Sequence, residues 1–203
     1  LGSSLTNQGL PRVRADHFQL VSEALQQLFR AGYQRIGLIV DAGLDERSGR
    51  RLTGAFLAAP QRRSPRSLNA SILRCRQDRP RCPATWLRRQ GLDAVVVDQS
   101  SRLSELRALG LRIPHDLGLA SLAVEHSDRD TSGMTQNVQA MAQAALSLLS
   151  TLLNQHQLGP TPHPPELHLP GLWNPGHTIL QTPNNRPSGS GHWRSHLLLP
   201  PSP

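Results

Sequence analysis

Ile36–Gly37–Leu38–Ile39–Val40 is the stretch that most restricts what this chain can fold into, because five residues run without one polar position between Gly32 and the polar segment that starts at Asp41. A half-buried strand alternates apolar and polar residues. An unbroken short run bounded by turn signals belongs to a strand covered on both faces, as in a parallel sheet with helices on either side. The flanking residues agree. Asp16 is placed to cap a helix whose apolar positions Phe18, Val21, Leu25 and Leu28 recur at helical spacing, with Ala24 and Phe29 broadening the stripe and Gly32 closing it. Residues 46–59 read as the helix that follows the strand.

The alternation continues with a strand at 71–75, a short helix at 83–90, a strand at 94–97, a helix at 101–109 ended by Gly110, a strand at 118–122 and a long helix at 137–155. Val138, Met141, Ala145, Leu148, Leu149 and Leu152 give that last helix a broad apolar face. Strand and helix in regular succession imply right-handed crossovers and a doubly wound parallel sheet of the α/β class. Such sheets take ligands beyond the carboxyl ends of their strands. No fixed-period repeat is visible. Residues 182–203, rich in Pro, Ser and Gly, cannot build a core and read as a disordered or loosely docked tail.

Composition excludes several function classes. No run approaches the roughly 20 apolar residues of a spanning helix, and LGSSLTNQG lacks the basic-then-apolar order of a secretory leader. The expectation is therefore a cytoplasmic protein without a membrane partner. All 22 basic residues are arginine and the formal charge is +8. Arg62, Arg63, Arg66, Arg74, Arg76, Arg79, Arg81, Arg88 and Arg89 fall in one segment whose only acid is Asp78. With one aromatic, Trp86, and no recognition-helix pattern, that segment reads as a solvated basic face rather than a nucleic-acid reader. Cys75 and Cys82 read as reduced thiols. The histidines, His163, His168, His177, His192 and His196 among them, sit among prolines without the spacing that puts two imidazoles on one helix face, so neither a metal nor a cofactor is expected.

A family resemblance emerges from the order of blocks: V-x-x-D at 13–16, GYQRIGLIV at 32–40, ERSGRRLTGAF at 46–56, DAVVVDQS at 93–100, GLRIPHDLGLASL at 110–122 and GMTQNVQAMAQAALSLLSTLL at 133–153. In that order and spacing they resemble the effector-binding domain of LacI/GalR-type transcriptional regulators, and less closely the periplasmic sugar-binding proteins. The resemblance implies a type I periplasmic-binding-protein-like fold, with two subdomains around a cleft and a helix-turn-helix head that reads operator DNA when the protein dimerises. On that plan residues 33–133, rejoined by 171–181, form a nearly complete C-terminal subdomain. Residues 1–32 and 134–170 form a partial N-terminal one, with a strand near 166–169, and the head is absent from the chain. The two helices of the partial subdomain are then expected to expose apolar surface and promote association.

The same resemblance assigns a ligand site. Asp16 accepts hydrogen bonds from ligand hydroxyls or serves as the helix cap. Arg51, three residues before Gly54, holds two hydroxyls or a carboxylate with its planar fork, or is a solvated helix arginine. Asp98 and Gln99 follow the AVVV strand where the family usually carries Asn-Asp, and Gln136 lies where the chain crosses back or serves as a turn residue. Ala123 occupies the position of a usual aspartate, which points to an altered or lost ligand. No nucleophile elbow, Cys-His arrangement or phosphate loop is present, so no catalytic residue is assigned. The function implied is sensing of a sugar-like effector by a regulator, homodimeric when intact. The alternatives are an uptake-type sugar-binding protein and a small flavodoxin-like enzyme.

Overall fold

The computed structural model describes residues 9–59, 71–76, 83–157 and 159–180. The tail at 182–203, and most of the arginine-rich segment, lie outside the described residues. Among the described residues no helix is long and apolar enough to cross a membrane.

The larger of two sheets has six strands: β2 (Ile36–Asp41), β3 (Ile72–Cys75), β4 (Ala94–Val97), β5 (Gly118–Ser121), β6 (Gly133–Thr135) and β8 (Leu172–Asn174). They lie in the order β3-β2-β4-β5-β6-β8, all neighbours parallel except the last pair. The central strand matches the sequence expectation, Ile36 to Val40 being buried throughout. Its side chains alternate between two cores. Ile36, Leu38 and Val40 join Ala94, Val96 and Ala120 on one face, while Ile39 joins Val95, Val97 and Leu119 on the other. Helices cover both faces, so the sheet is doubly wound. The first core receives α1 (His17–Arg30) and α3 (Arg51–Ala58), and the second receives α4 (Pro83–Gln90) and α5 (Arg102–Ala108).

Three observations depart from the sequence expectation. First, α1 was expected in the smaller unit, yet it packs on α3, β4, β5 and β6 and buries Leu20, Val21, Ala24, Leu25 and Leu28 against the large sheet. Phe18, counted on its buried stripe, is 45% exposed, and Leu20 takes the core position instead. Secondly, the single helix read at 46–59 is two, α2 (Ala42–Arg47) and α3, because Gly49 and Arg50 both turn into the left-handed region at φ 70° and 58°. Thirdly, residues 12–15, to which the sequence reading assigned no element, form a strand before α1. This β1 (Arg12–Ala15) runs parallel to β7 (Glu166–Leu169) as a separate two-stranded sheet.

The two sheets are connected by three short passages: β1 into α1, β6 into α6 (Val138–Asn154), and β7 into β8. These run side by side and are cross-bonded. The amide of Asp16 donates to the Leu169 carbonyl at 2.8 Å, that of Gly171 to Gln19 Oε1 at 3.1 Å, and the Thr135 hydroxyl to the Leu172 carbonyl at 3.2 Å. Helix α6 lies against β1 and β7. Only its Met141 is buried, with Ala144, Ala145 and Leu148 partly covered. Val138, Leu146, Leu149 and Leu153 stay 52–69% exposed. The expected apolar exposure is thus mainly a property of α6, with Phe18 the exposed large apolar residue of α1.

Candidate ligand site

Asp16, Asp98, Gln99 and Gln136 each follow the carboxyl end of a strand, β1, β4 or β6, although they are not equally available. Asp16 follows β1 and caps α1, its Oδ1 accepting from the amides of Phe18 and Gln19, each at 3.1 Å. Cap and ligand contact are compatible because a carboxylate has a second oxygen. Asp98 is 3% exposed and spends both oxygens on the fold. Oδ2 accepts from the Asp41 amide at 2.7 Å and Oδ1 from Arg102 Nε at 3.3 Å. It ties β4 to β2 at the point where strand order reverses. Burial raises its carboxyl above the ordinary value, against the opposing Asp41 amide and Arg102 charge. Gln99 beside it is exposed. Gln136 lies partly exposed in the passage from β6 to α6, its carbonyl accepting from the Val138 amide at 2.8 Å.

Arg51 begins α3 and is 39% exposed along its side chain. Its position is set from below. Arg50, the residue before the helix, contributes no side-chain cap. Buried Asp45 acts in its place: Oδ1 accepts from the Thr53 amide at 3.1 Å and Oδ2 accepts a short hydrogen bond from the Thr53 hydroxyl. The Asp45 carbonyl also receives the Arg50 amide at 2.7 Å and the Ser48 hydroxyl at 2.8 Å. Ala123 keeps only backbone contacts, its carbonyl accepting from Ser100 Oγ at 2.8 Å and its amide donating to Ser121 Oγ at 3.2 Å. At the position of the usual aspartate there is accordingly no carboxylate.

Arg51 has a neighbour that the sequence did not suggest. Its Nη2 lies 3.9 Å from Glu166 Oε2, on β7. Glu166 also accepts a short hydrogen bond from Arg14 on Oε1 and pairs with His168 Nε2 at 3.1 Å on Oε2. Burial alone would raise the Glu166 carboxyl, but the hydrogen bonds from Arg14 and His168 outweigh it and hold the group below its usual value. His17, the first residue of α1, is buried close by. Burial lowers its pKa, and the charges of Arg14, His168 and Arg51 lower it further. Positions 12 and 14 share one face of β1 and positions 166 and 168 one face of β7, so pairing of the two strands, which no local pattern announces, brings these side chains together.

The residues 25–179 match the family profile described as periplasmic binding protein-like domain. The chain belongs to that family. Solved periplasmic-binding-protein-like structures share its fold. A transcriptional regulator CelR–cellobiose complex is 20% identical, with 86% of this chain matched to 56% of that one at a TM-score of 0.60. Transcription regulator CcpA of Lactococcus lactis is 17% identical, with coverages of 84% and 65% and a TM-score of 0.61. A LacI family transcriptional regulator from Enterococcus faecium with bound ribose is 16% identical, with coverages of 89% and 69% and a TM-score of 0.62. This chain thus spans little more than half of the CelR chain. No match is found among curated protein sequences. The neighbours named here are regulators and not enzymes.

Proposed function

We propose that this chain is the effector-sensing part of a cytoplasmic LacI-type transcriptional regulator, taking a small sugar-like molecule where its two sheets meet. One observation carries the reading: Asp16, Gln99 and Gln136 each follow the carboxyl end of a strand, β1, β4 and β6, where such sheets take ligands, and Arg51 begins α3. We take residues 16–135 with 171–180 as the larger unit and 12–15 with 136–170 as the smaller, a division based on how α1 and α6 pack. Ligand bound between them favours a closed arrangement. In an intact homodimer that population shift changes the separation of DNA-reading heads, so ligand affinity and operator affinity are coupled reciprocally. Asp98 serves as a strut in this reading. The cellobiose and ribose of the solved neighbours support a carbohydrate-like ligand.

The test is calorimetry with a panel of sugars and sugar derivatives on the chain and on Arg51→Ala. Saturable binding of at least one compound, weakened tenfold or more in the variant, is expected. Absence of binding across the panel, or binding that the variant leaves unchanged, would overturn the proposal.

A further inference from the structure

One face of the two-stranded sheet carries only polar side chains. Arg12 stands opposite Glu166 and Arg14 opposite His168 in the strand register. Arg51 reaches the same carboxylate from α3, and His17 lies among them. Two permanently charged guanidinium groups, those of Arg14 and Arg51, therefore approach one carboxylate, with Arg12 opposite it in the register. The neighbouring acid, Asp16, is engaged in capping α1, and the aspartate expected at 123 is alanine.

The hydrogen bonds within this cluster are also incomplete. Among the described residues, three buried side-chain atoms have no partner: Arg14 Nε, His17 Nδ1 and His168 Nδ1. Arg14 and His17 are each 7% exposed, so bulk water does not satisfy them readily. A buried polar atom left without a partner costs about 1–3 kcal/mol, more where the group is charged, and such orphans seldom gather by chance at one place. The chemistry of each orphan is defined. Arg14 Nε only donates. Because a carboxylate only accepts, the His168 Nε2 that faces Glu166 carries a proton, and Nδ1 is left to pair with a ligand group. At the amino-terminal ends of β1 and β7 is a cavity of about 160 Å³ lined by Leu10, Arg12, Pro164, Pro165 and Glu166, so of the cluster Arg12 and Glu166 border it.

We propose that this face is an anion subsite, formed by Arg12, Arg14, Arg51, His17 and His168, that takes the acidic group of a polyhydroxylated ligand, a sugar phosphate or a sugar acid. The anionic oxygens receive the Arg14 and Arg51 donors, and a ligand hydroxyl pairs with His168 Nδ1. Planar guanidinium groups suit both carboxylate and phosphate. The inference extends the sensor reading by naming the ligand's charge.

Histidine-ring NMR of the full chain tests it without knowledge of the sugar. Inorganic phosphate, acetate and glucose are titrated in turn while the signals of His17 and His168 are followed, with exposed His126 as the control. Phosphate or acetate is expected to shift both rings saturably. Glucose at the same concentration is expected to leave them in place, and Arg51→Gln to weaken the anion effect at least fivefold. Arg14→Gln, checked for folding by circular dichroism, provides a second variant. Phosphate acting alone assigns a phosphate ester, and acetate alone a carboxylate. Rings unmoved by either anion, moved equally by glucose, or moved in parallel with His126 would refute the subsite. Sugar binding without an anion effect would refute only the subsite, whereas an anion effect without any panel ligand would refute only the sensor reading.

Discussion

Replacing Asp45 by alanine tests how Arg51 is held. Asp45 is 1% exposed and stands in for the N-cap that Arg50 does not supply. Removing its carboxylate takes the acceptor from the Thr53 amide, the third of α3, a capping loss of about 0.5–2 kcal/mol. It also strands the hydroxyl of Thr53, itself 4% exposed, for about 1–3 kcal/mol more. Arg74 approaches the same carboxylate at 3.6 Å but is 47% exposed and adds little. Together these predict a destabilisation of about 1.5–5 kcal/mol. For a domain of this size that is a fall in Tm of roughly 5–15 °C. Urea unfolding followed by circular dichroism measures it directly. A double-mutant cycle with Thr53→Val isolates the shared contact, with a coupling of about 1–3 kcal/mol expected. If Asp45→Ala cost less than about 1 kcal/mol, or the cycle showed no coupling, the surrogate cap would not be what fixes the start of α3.

Three further outcomes are expected. A side chain at Gly118 would place its Cβ 2.5 Å from Cζ of Tyr33, so Gly118→Ala should lower stability by about 1–3 kcal/mol, and a melting curve superimposable on the parent's would show that the ring moves aside freely. His17, with its pKa held below 6.5 by burial and by Arg14, His168 and Arg51 against the opposing Asp16, binds its proton more readily in the unfolded chain. Stability should therefore fall as pH drops below about 6.5 and level off below the lowered folded-state value, with a further loss in acid as Glu166, depressed in the fold, is protonated. His17→Asn should flatten the first limb, and an unchanged profile would point to other groups. Finally, Leu146 and Leu149 on α6 are 68% and 53% exposed; sedimentation velocity should show concentration-dependent association that Leu146→Gln/Leu149→Gln reduces, and a monodisperse parent would contradict it.

The parallel sheet was legible because burial on both faces leaves an unbroken apolar run, and Ile36–Val40 and Ala94–Val97 carry it plainly. Helix α6 was legible by periodicity, although its apolar positions do not show which surface covers them. Strand β1 was not legible. Arg-Val-Arg-Ala alternates, but four residues beside a proline give too little signal to distinguish from loop. The break between α2 and α3 was hidden because Arg50 adopts a left-handed conformation that its residue type rarely takes. At the site, Arg51 and Asp16 came from the family resemblance, whereas Arg14, His17 and Glu166 meet only through contacts spanning up to 152 positions. A pairing at that distance leaves no local pattern. Asp98 showed its place at a strand end but not that the Asp41 amide and Arg102 would engage it.

The three cross-bonded passages between the sheets restrict how the molecule can move. A single tether permits rotation about any axis, and two tethers leave one axis free. A third beside them, bonded through Asp16, Gly171 and Thr135, stiffens every rotation except the one about the line they define. The structure therefore favours one soft mechanical coordinate, and one distance between a label on α6 and a label on α4 should suffice to follow it.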